Sequence, residues 1–236
     1  MIRSCLFFLF LLFTQFVTAQ QGSQLRGSWT VRENNRTHLV LVADNYYSYA
    51  VFNADSGDFF HTEGGRWRGF AESPVIESIT EFNSSDITQV KEKSVDSVFL
   101  NKFHFRNAAP FHPGQWKRTD TAAAALSGCW RISQRSVNGQ MQTIPPGARK
   151  TIKLLTGEWF QWAAINTETG EFFGTGGGKY SFTPGRYTEL IRFFSRDKSR
   201  VGLTLEFNDH IVQEKWDHQG KSSKGDPIHE VWVKAE

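Results

Sequence analysis

The chain has almost no cysteine. Only Cys5 and Cys129 occur in its 236 residues. Cys5 falls in a leader-like start, so no intramolecular disulfide is expected to staple the mature fold. Cys129 reads as a small buried hydrophobe, because no activating neighbour is visible around it. No stretch after the first twenty or so residues is apolar enough to cross a membrane as a helix. No long 3.6-residue periodicity appears either, which excludes a helical core. Basic residues form no stripe: lysines and arginines are scattered among acids and the formal charge is +3. Nucleic acid is therefore not an expected partner. His210, His218 and His229 show no H-E-x-x-H or comparable ligand spacing, so neither a metal nor another cofactor is expected.

What is present begins with "MIRSCLFFLFLLFTQFVTAQQ". Arg3 precedes an apolar run from Leu6 to Val17, and Val17-Thr18-Ala19 supplies small residues at the −3 and −1 positions of a cleavage site. Residues 1–19 are read as a secretory signal peptide. The mature chain is expected to be exported, to a periplasm or outside the cell, with no membrane span left after cleavage. Its charge becomes +2 once Arg3 is removed.

The remainder is self-similar. "YYSYAVFNADSGDFFHTEGGRW" (Tyr46 to Trp67) aligns without a gap with "WFQWAAINTETGEFFGTGGGKY" (Trp159 to Tyr180), at an offset of 113. "LRGSW" answers "LSGCW", Arg36 answers Arg149, and "VIESITEF" from Val75 answers "YTELIRFF" from Tyr187. The economical explanation is a duplicated module. The division is a first unit over 23–118, a linker over 119–126 and a second unit over 127–236.

Within each unit the period is two. Phe160, Trp162 and Ala164 share one strand face, and Trp159, Gln161, Ala163 and Ile165 the other. "NTETGE" reads as a turn. Strands follow over Tyr187 to Phe194, Arg200 to Phe207, Ile211 to His218 and Ile228 to Lys234, with "FND" among the turns. The fold class is all-β, with about eight antiparallel strands per unit. Closing such a sheet removes its edges, so two tandem up-and-down β-barrels are the expected architecture.

The G-x-W of "LSGCW" resembles the first-strand signature of lipocalins. "ARKTIKLLTGEWFQW", "GTGGGKYSF", "YTELIRFFS", "EKWDHQG" and "HEVWVK", in that order, are similar to a lipocalin-like family of secreted Bacteroidetes proteins. The first unit departs from that pattern. It lacks about twelve residues matching "NGQMQTIPPGAR", and Phe103-His104-Phe105 stands in place of the W-x-H segment. The resemblance implies a calycin-type barrel outside the cytoplasm and brings no established activity.

The glycine run in "FFGTGGGKY" is not a phosphate loop. Phe173 stands six positions before Lys179, where a Walker loop needs glycine, and Tyr180 follows the lysine. The copy "FFHTEGGRW" keeps only the last two glycines, which points to a backbone constraint such as a bulge or a barrel corner.

Charged residues on apolar strand faces are the better site candidates. Glu189 shares a face with Tyr187, Ile191 and Phe193, and its counterpart Glu77 shares one with Val75, Ile79 and Glu81. Arg149, or Arg36 in the first unit, is the expected opposing cation. Such a pair either fixes register or orients a ligand inside a cavity. Trp216 and His218 share a face with Val212 and Glu214. The longer loop "VNGQMQTIPPGAR" is expected to cover the open end of the second barrel.

The favoured reading is a non-enzymatic binding protein. It holds a small hydrophobic or amphipathic molecule through Arg149, Phe160, Trp162, Tyr180, Tyr187, Glu189, Trp216 and His218. Two alternatives stay open. One is a hydrolase or isomerase using Glu189 and His218 as acid and base; the other is a structural or interaction protein with filled barrels.

Overall fold

The computed structural model describes residues 25–69, 75–99, 104–106 and 116–235. The leader and Phe103 lie outside them. The first unit contains β1 (Gly27–Glu33), β2 (Arg36–Ala43), β3 (Tyr46–Phe52), β4 (Phe59–Gly69), β5 (Val75–Asn83), β6 (Lys93–Phe99), β7 (His104–Arg106) and β8 (Lys117–Asp120). These pair as one antiparallel sheet in the order β7-β6-β5-β4-β3-β2-β1-β8. β8 runs to Asp120, two residues into the segment read as a linker, and Leu126 at the end of that segment is fully buried.

The second unit contains β9 (Gly128–Val137), β10 (Gln140–Thr143), β11 (Arg149–Leu155), β12 (Trp159–Asn166), β13 (Phe172–Thr183), β14 (Arg186–Phe194), β15 (Thr204–Val212), β16 (Lys215–Lys221) and β17 (Pro227–Lys234). β17 returns to pair with β9, from Glu230 opposite Arg135 to Lys234 opposite Trp130. That pairing closes eight strands into a barrel and leaves β10 outside as a partner of β9 alone. The all-β architecture is thus a closed eight-strand barrel together with a second large sheet.

The same devices recur in both units. Trp29 donates its indole N–H to the Leu25 carbonyl at 2.9 Å, and Trp130 donates to Leu126 at 2.7 Å. Asp86 and Asp197 each cap a short 3-10 turn by accepting from a backbone N–H two residues on. The glycine pairs that recur in both units are β-bulges, between Gly64 and Gly65 and between Gly177 and Gly178. A Cβ on Gly178 would overlap the Leu190 carbonyl, and one on Gly177 would lie 2.7 Å from the Phe160 oxygen. Close backbone approach, not a phosphate, explains the run.

The bulges correct the face assignments made for β5 and β14. Tyr187, Glu189 and Ile191 point into the second barrel, but the extra residue at Arg192 turns Phe193 outward. In the first unit Trp67 pairs with Ser78, whereas Tyr180 pairs with Glu189. The position equivalent to Glu189 is therefore Ser78. Glu77 points outward and pairs with Arg68. A slip of one residue moves a side chain to the other side of a sheet.

The turn positions differ as well. β15 runs through "FND", and the reversal is made by Gln213 and Glu214, both with positive φ. This is the backbone of a tight two-residue hairpin. The correction places Asp209 opposite His218.

The two units share a core. Leu39, Leu41 and Ala43 face outward from β2, while Val40 and Val42 face the first unit's interior. From β11, Ile152 and Leu154 join the outward set. Phe52 and Phe193 stack across the junction with ring centres 4.7 Å apart. Gln161 donates to the Thr62 hydroxyl at 2.7 Å. Strands apolar on both faces are those buried on both faces, as "LVLVA" in β2 shows.

Candidate functional site

The second barrel holds a cavity of about 400 Å³ that opens beside the β16–β17 connection. This lies within the range of about 300–1,000 Å³ common for small-molecule sites. Trp162, Ile191, Phe194, Leu205 and Ile228 give it apolar walls, and Ser222, Ser223 and Asp226 lie at the β16–β17 connection.

Two of its polar side chains, Lys153 and Glu189, are buried and paired with each other. Lys153 Nζ donates to Glu189 Oε1 at 2.8 Å, with both residues only 5% exposed. The Tyr187 hydroxyl donates to the same oxygen at 2.8 Å. Burial, with Glu189 adding to it, pushes the Tyr187 phenol well above its ordinary range, so it remains a neutral donor. The Lys153 ammonium lies over four rings: Trp216 and Trp232 at 5.2 Å, Tyr187 at 5.5 Å and Phe160 at 5.7 Å. Such cation–π contacts are strongest where water is excluded.

Beside this pair sits a second one. Asp209, with no exposed surface, accepts from the Trp216 indole at 2.7 Å and bonds His218 Nδ1 at 2.9 Å. Trp232 lines the cavity and is 2% exposed, and its buried indole N–H has no acceptor among the described residues. A buried donor left unmatched costs about 1–3 kcal/mol.

The expected site residues divide accordingly. Trp162, Glu189 and His218 line the cavity. Phe160, Tyr187 and Trp216 surround the Lys153 ammonium. Tyr180 belongs to the same core, but its hydroxyl donates to the Thr156 carbonyl at 2.6 Å, away from the polar cluster. Arg149 is not the cation opposite Glu189. It begins β11 four residues before Lys153, roughly 13 Å along an extended strand, and stacks on Phe173 at 4.7 Å. Arg36 stacks on Phe60 in the same way, also at 4.7 Å.

The loop expected to cover the barrel mouth does not line the cavity. Its residues form the β9–β10 hairpin, and Ile144–Gly147 line a neighbouring groove. Pairing with the extended end of β9 holds β10 against the wall.

Sequence reasoning missed Lys153, Asp209 and Trp232. A signal for Lys153 was its interruption of the apolar run Ile152-Leu154-Leu155, where it shares a face with Thr151 and Leu155. Asp209 shares the face of the buried Phe207 once "FND" is taken as strand.

The chemistry available is that of an apolar pocket with a prearranged polar floor. Glu189 Oε1 is committed to Lys153 and Tyr187, and His218 Nδ1 to Asp209. No group of three or more His, Cys, Asp or Glu side chains that could hold a metal occurs among the described residues. No helix among them is long and apolar enough to cross a membrane.

Neither the comparison with protein families nor that with curated proteins gives a match. Among solved structures, the chain is similar to a lipocalin-like protein from Bacteroides uniformis at 14% identity, with a TM-score of 0.32, over 47% of this chain and 98% of that one.

Proposed function

We propose that this is an exported, duplicated protein whose second barrel binds a small apolar or amphipathic molecule without transforming it. The observation that carries the reading is Trp232, which lines an open cavity and whose buried indole N–H has no acceptor among the described residues. A ligand with an apolar body against Trp162, Ile191 and Leu205, and one hydrogen-bond acceptor reaching Trp232, satisfies that donor. The Lys153–Glu189 pair supports binding over acid–base chemistry, because Glu189 Oε1 is already held by both Lys153 and Tyr187.

Native mass spectrometry of protein purified from its own host tests this, together with titration of the neutral fluorophore N-phenylnaphthylamine. The expected results are a co-purifying small molecule and uptake of one fluorophore per chain. Leu205→Trp, which fills the wall at a partly exposed position, is expected to remove uptake while circular dichroism stays unchanged. Consistently empty protein that takes up no fluorophore would overturn the proposal.

A further inference from the structure

The wall of the second barrel is paired unevenly. β9 and β11 are joined over only four residue pairs, from Arg131 opposite Ile152 to Gly128 opposite Leu155. Beyond Arg131 the β9 strand pairs with β10 and β17, and β11 pairs only with β12. The two strands part there, and a second cavity of about 610 Å³ occupies the gap. It lies between this barrel and the first unit, reaching Tyr46 and Arg66, with the Ile144–Gly147 segment along its edge. Ile132, Arg135 and Thr151 line both this groove and the barrel cavity. The two spaces therefore adjoin through a side opening in the wall.

Cations dominate the opening. Arg66, Arg131, Arg135, Arg149 and Lys150 line the groove. Arg66 and Lys150 share Glu81, and Arg135 holds Glu230. Arg131 and Arg149 meet no carboxylate among the described residues. Arg149 places its guanidinium carbon over the Phe173 ring, 4.7 Å from the centroid, a contact that leaves its N–H groups for hydrogen bonding. A guanidinium fork matches the paired oxygens of a carboxylate, phosphate or sulfonate, and charge-assisted bonds of that kind are the strong ones.

Resting on the binding reading above, we infer that the ligand is an anionic amphiphile. Its apolar body occupies the second barrel, and its acidic group lies in the side opening between Arg131 and Arg149. The first unit completes the site by supplying Arg66 and the Tyr46–Glu81 floor that neutralises Lys150. A neutral molecule of the same body would gain nothing from these groups.

Two fluorophores with one aromatic body separate the charge from the cavity: neutral N-phenylnaphthylamine and its sulfonated form, anilinonaphthalene sulfonate. The full mature chain is titrated with each. The sulfonate is expected to bind about tenfold tighter, the gain that one charge-assisted contact gives. R131A/R149A is expected to bring the two affinities together while leaving the neutral one unchanged. R149A alone gives part of the loss, and R192A, an exposed arginine lining neither cavity, leaves both probes as they were. Equal affinities in the wild type, or a difference that survives R131A/R149A, would overturn the inference and leave the binding reading standing. Failure of the neutral probe to bind would remove the cavity reading and this inference with it.

Discussion

Lys153 and Glu189 face each other inside the second barrel, Nζ to Oε1 at 2.8 Å, with almost no exposed surface on either. Removing Lys153 leaves the buried Glu189 carboxylate without its cation. Lys153→Met is expected to destabilise the protein by about 3–5 kcal/mol, as is usual when a buried pair is broken. Adding Glu189→Gln to it removes the stranded charge and keeps an acceptor for Tyr187. The double variant is therefore expected to be more stable than Lys153→Met alone. Urea midpoints of the wild type, Lys153→Met, Glu189→Gln and the double variant decide the matter. Additive losses would show that the two side chains are not coupled.

The same pair shows what could be read from the chain and what could not. Glu189 stood out because it interrupts an apolar face of period two. Lys153 stands on a mixed face with Arg149, Thr151 and Leu155, and the repeat places it against Val40 of the first unit, so comparing the copies drew attention to Arg36 and Arg149 instead. The all-β class, the glycine bulges and the split of β12 into two faces followed from local pattern. Register across the bulges did not, because one extra residue at Arg192 or Glu81 is silent in the alternation until pairing is known. Asp209 was hidden by "FND", which has turn-like composition, while Gln213 and Glu214 take the left-handed backbone that residues of their type seldom adopt. That Trp232 lacks an acceptor is a fact of three-dimensional arrangement with no sequence signal.

Glu81 joins the two units electrostatically. It accepts from the Tyr46 hydroxyl at 2.7 Å, Arg66 at 2.9 Å and Lys150 at 3.0 Å. Burial raises its pKa, but the Tyr46 hydrogen bond and the two cations outweigh burial, and the net shift is downward. A carboxylate depressed in the folded state stabilises it above the ordinary glutamate pKa of ~4.3, and that stability is lost as pH falls through the depressed value. Thermal midpoints measured from about pH 3 to 7 are expected to fall at the acid end in the wild type. Glu81→Gln is expected to be less stable at neutral pH and to lose part of that acid dependence. An unchanged acid limb would exclude Glu81 as its source.

The bulge glycines are expected to be intolerant for a steric reason. Gly65→Ala and Gly178→Ala each drive a methyl group into a carbonyl of the neighbouring strand, Ile79 or Leu190. A loss of roughly 3 kcal/mol or more is expected for each. Gly147→Ala serves as the contrast, because nothing lies within 4 Å of its added methyl. It is expected to be neutral or to stabilise by a few tenths of a kcal/mol through the unfolded chain. Similar losses at Gly147 and Gly178 would remove the close-approach explanation.

Cys129 reports on the junction between the units. It is 1% exposed within the shared core, and burial, with Glu81 adding to it, pushes its thiol up to about 12. Being both covered and protonated, it is expected to be inert to thiol-directed reagents in native buffer and to react fully in denaturant. Labelling then requires the junction to open, so its rate measures the cost of opening. Phe193→Ala removes the ring stacked on Phe52 and is expected to speed labelling well beyond its effect on barrel stability. Lys153→Met, which weakens the barrel interior, is expected to speed labelling only as far as it lowers global stability. If the two variants, compared at matched global stability, label Cys129 at the same rate, the thiol is exposed by global unfolding and the junction does not open on its own.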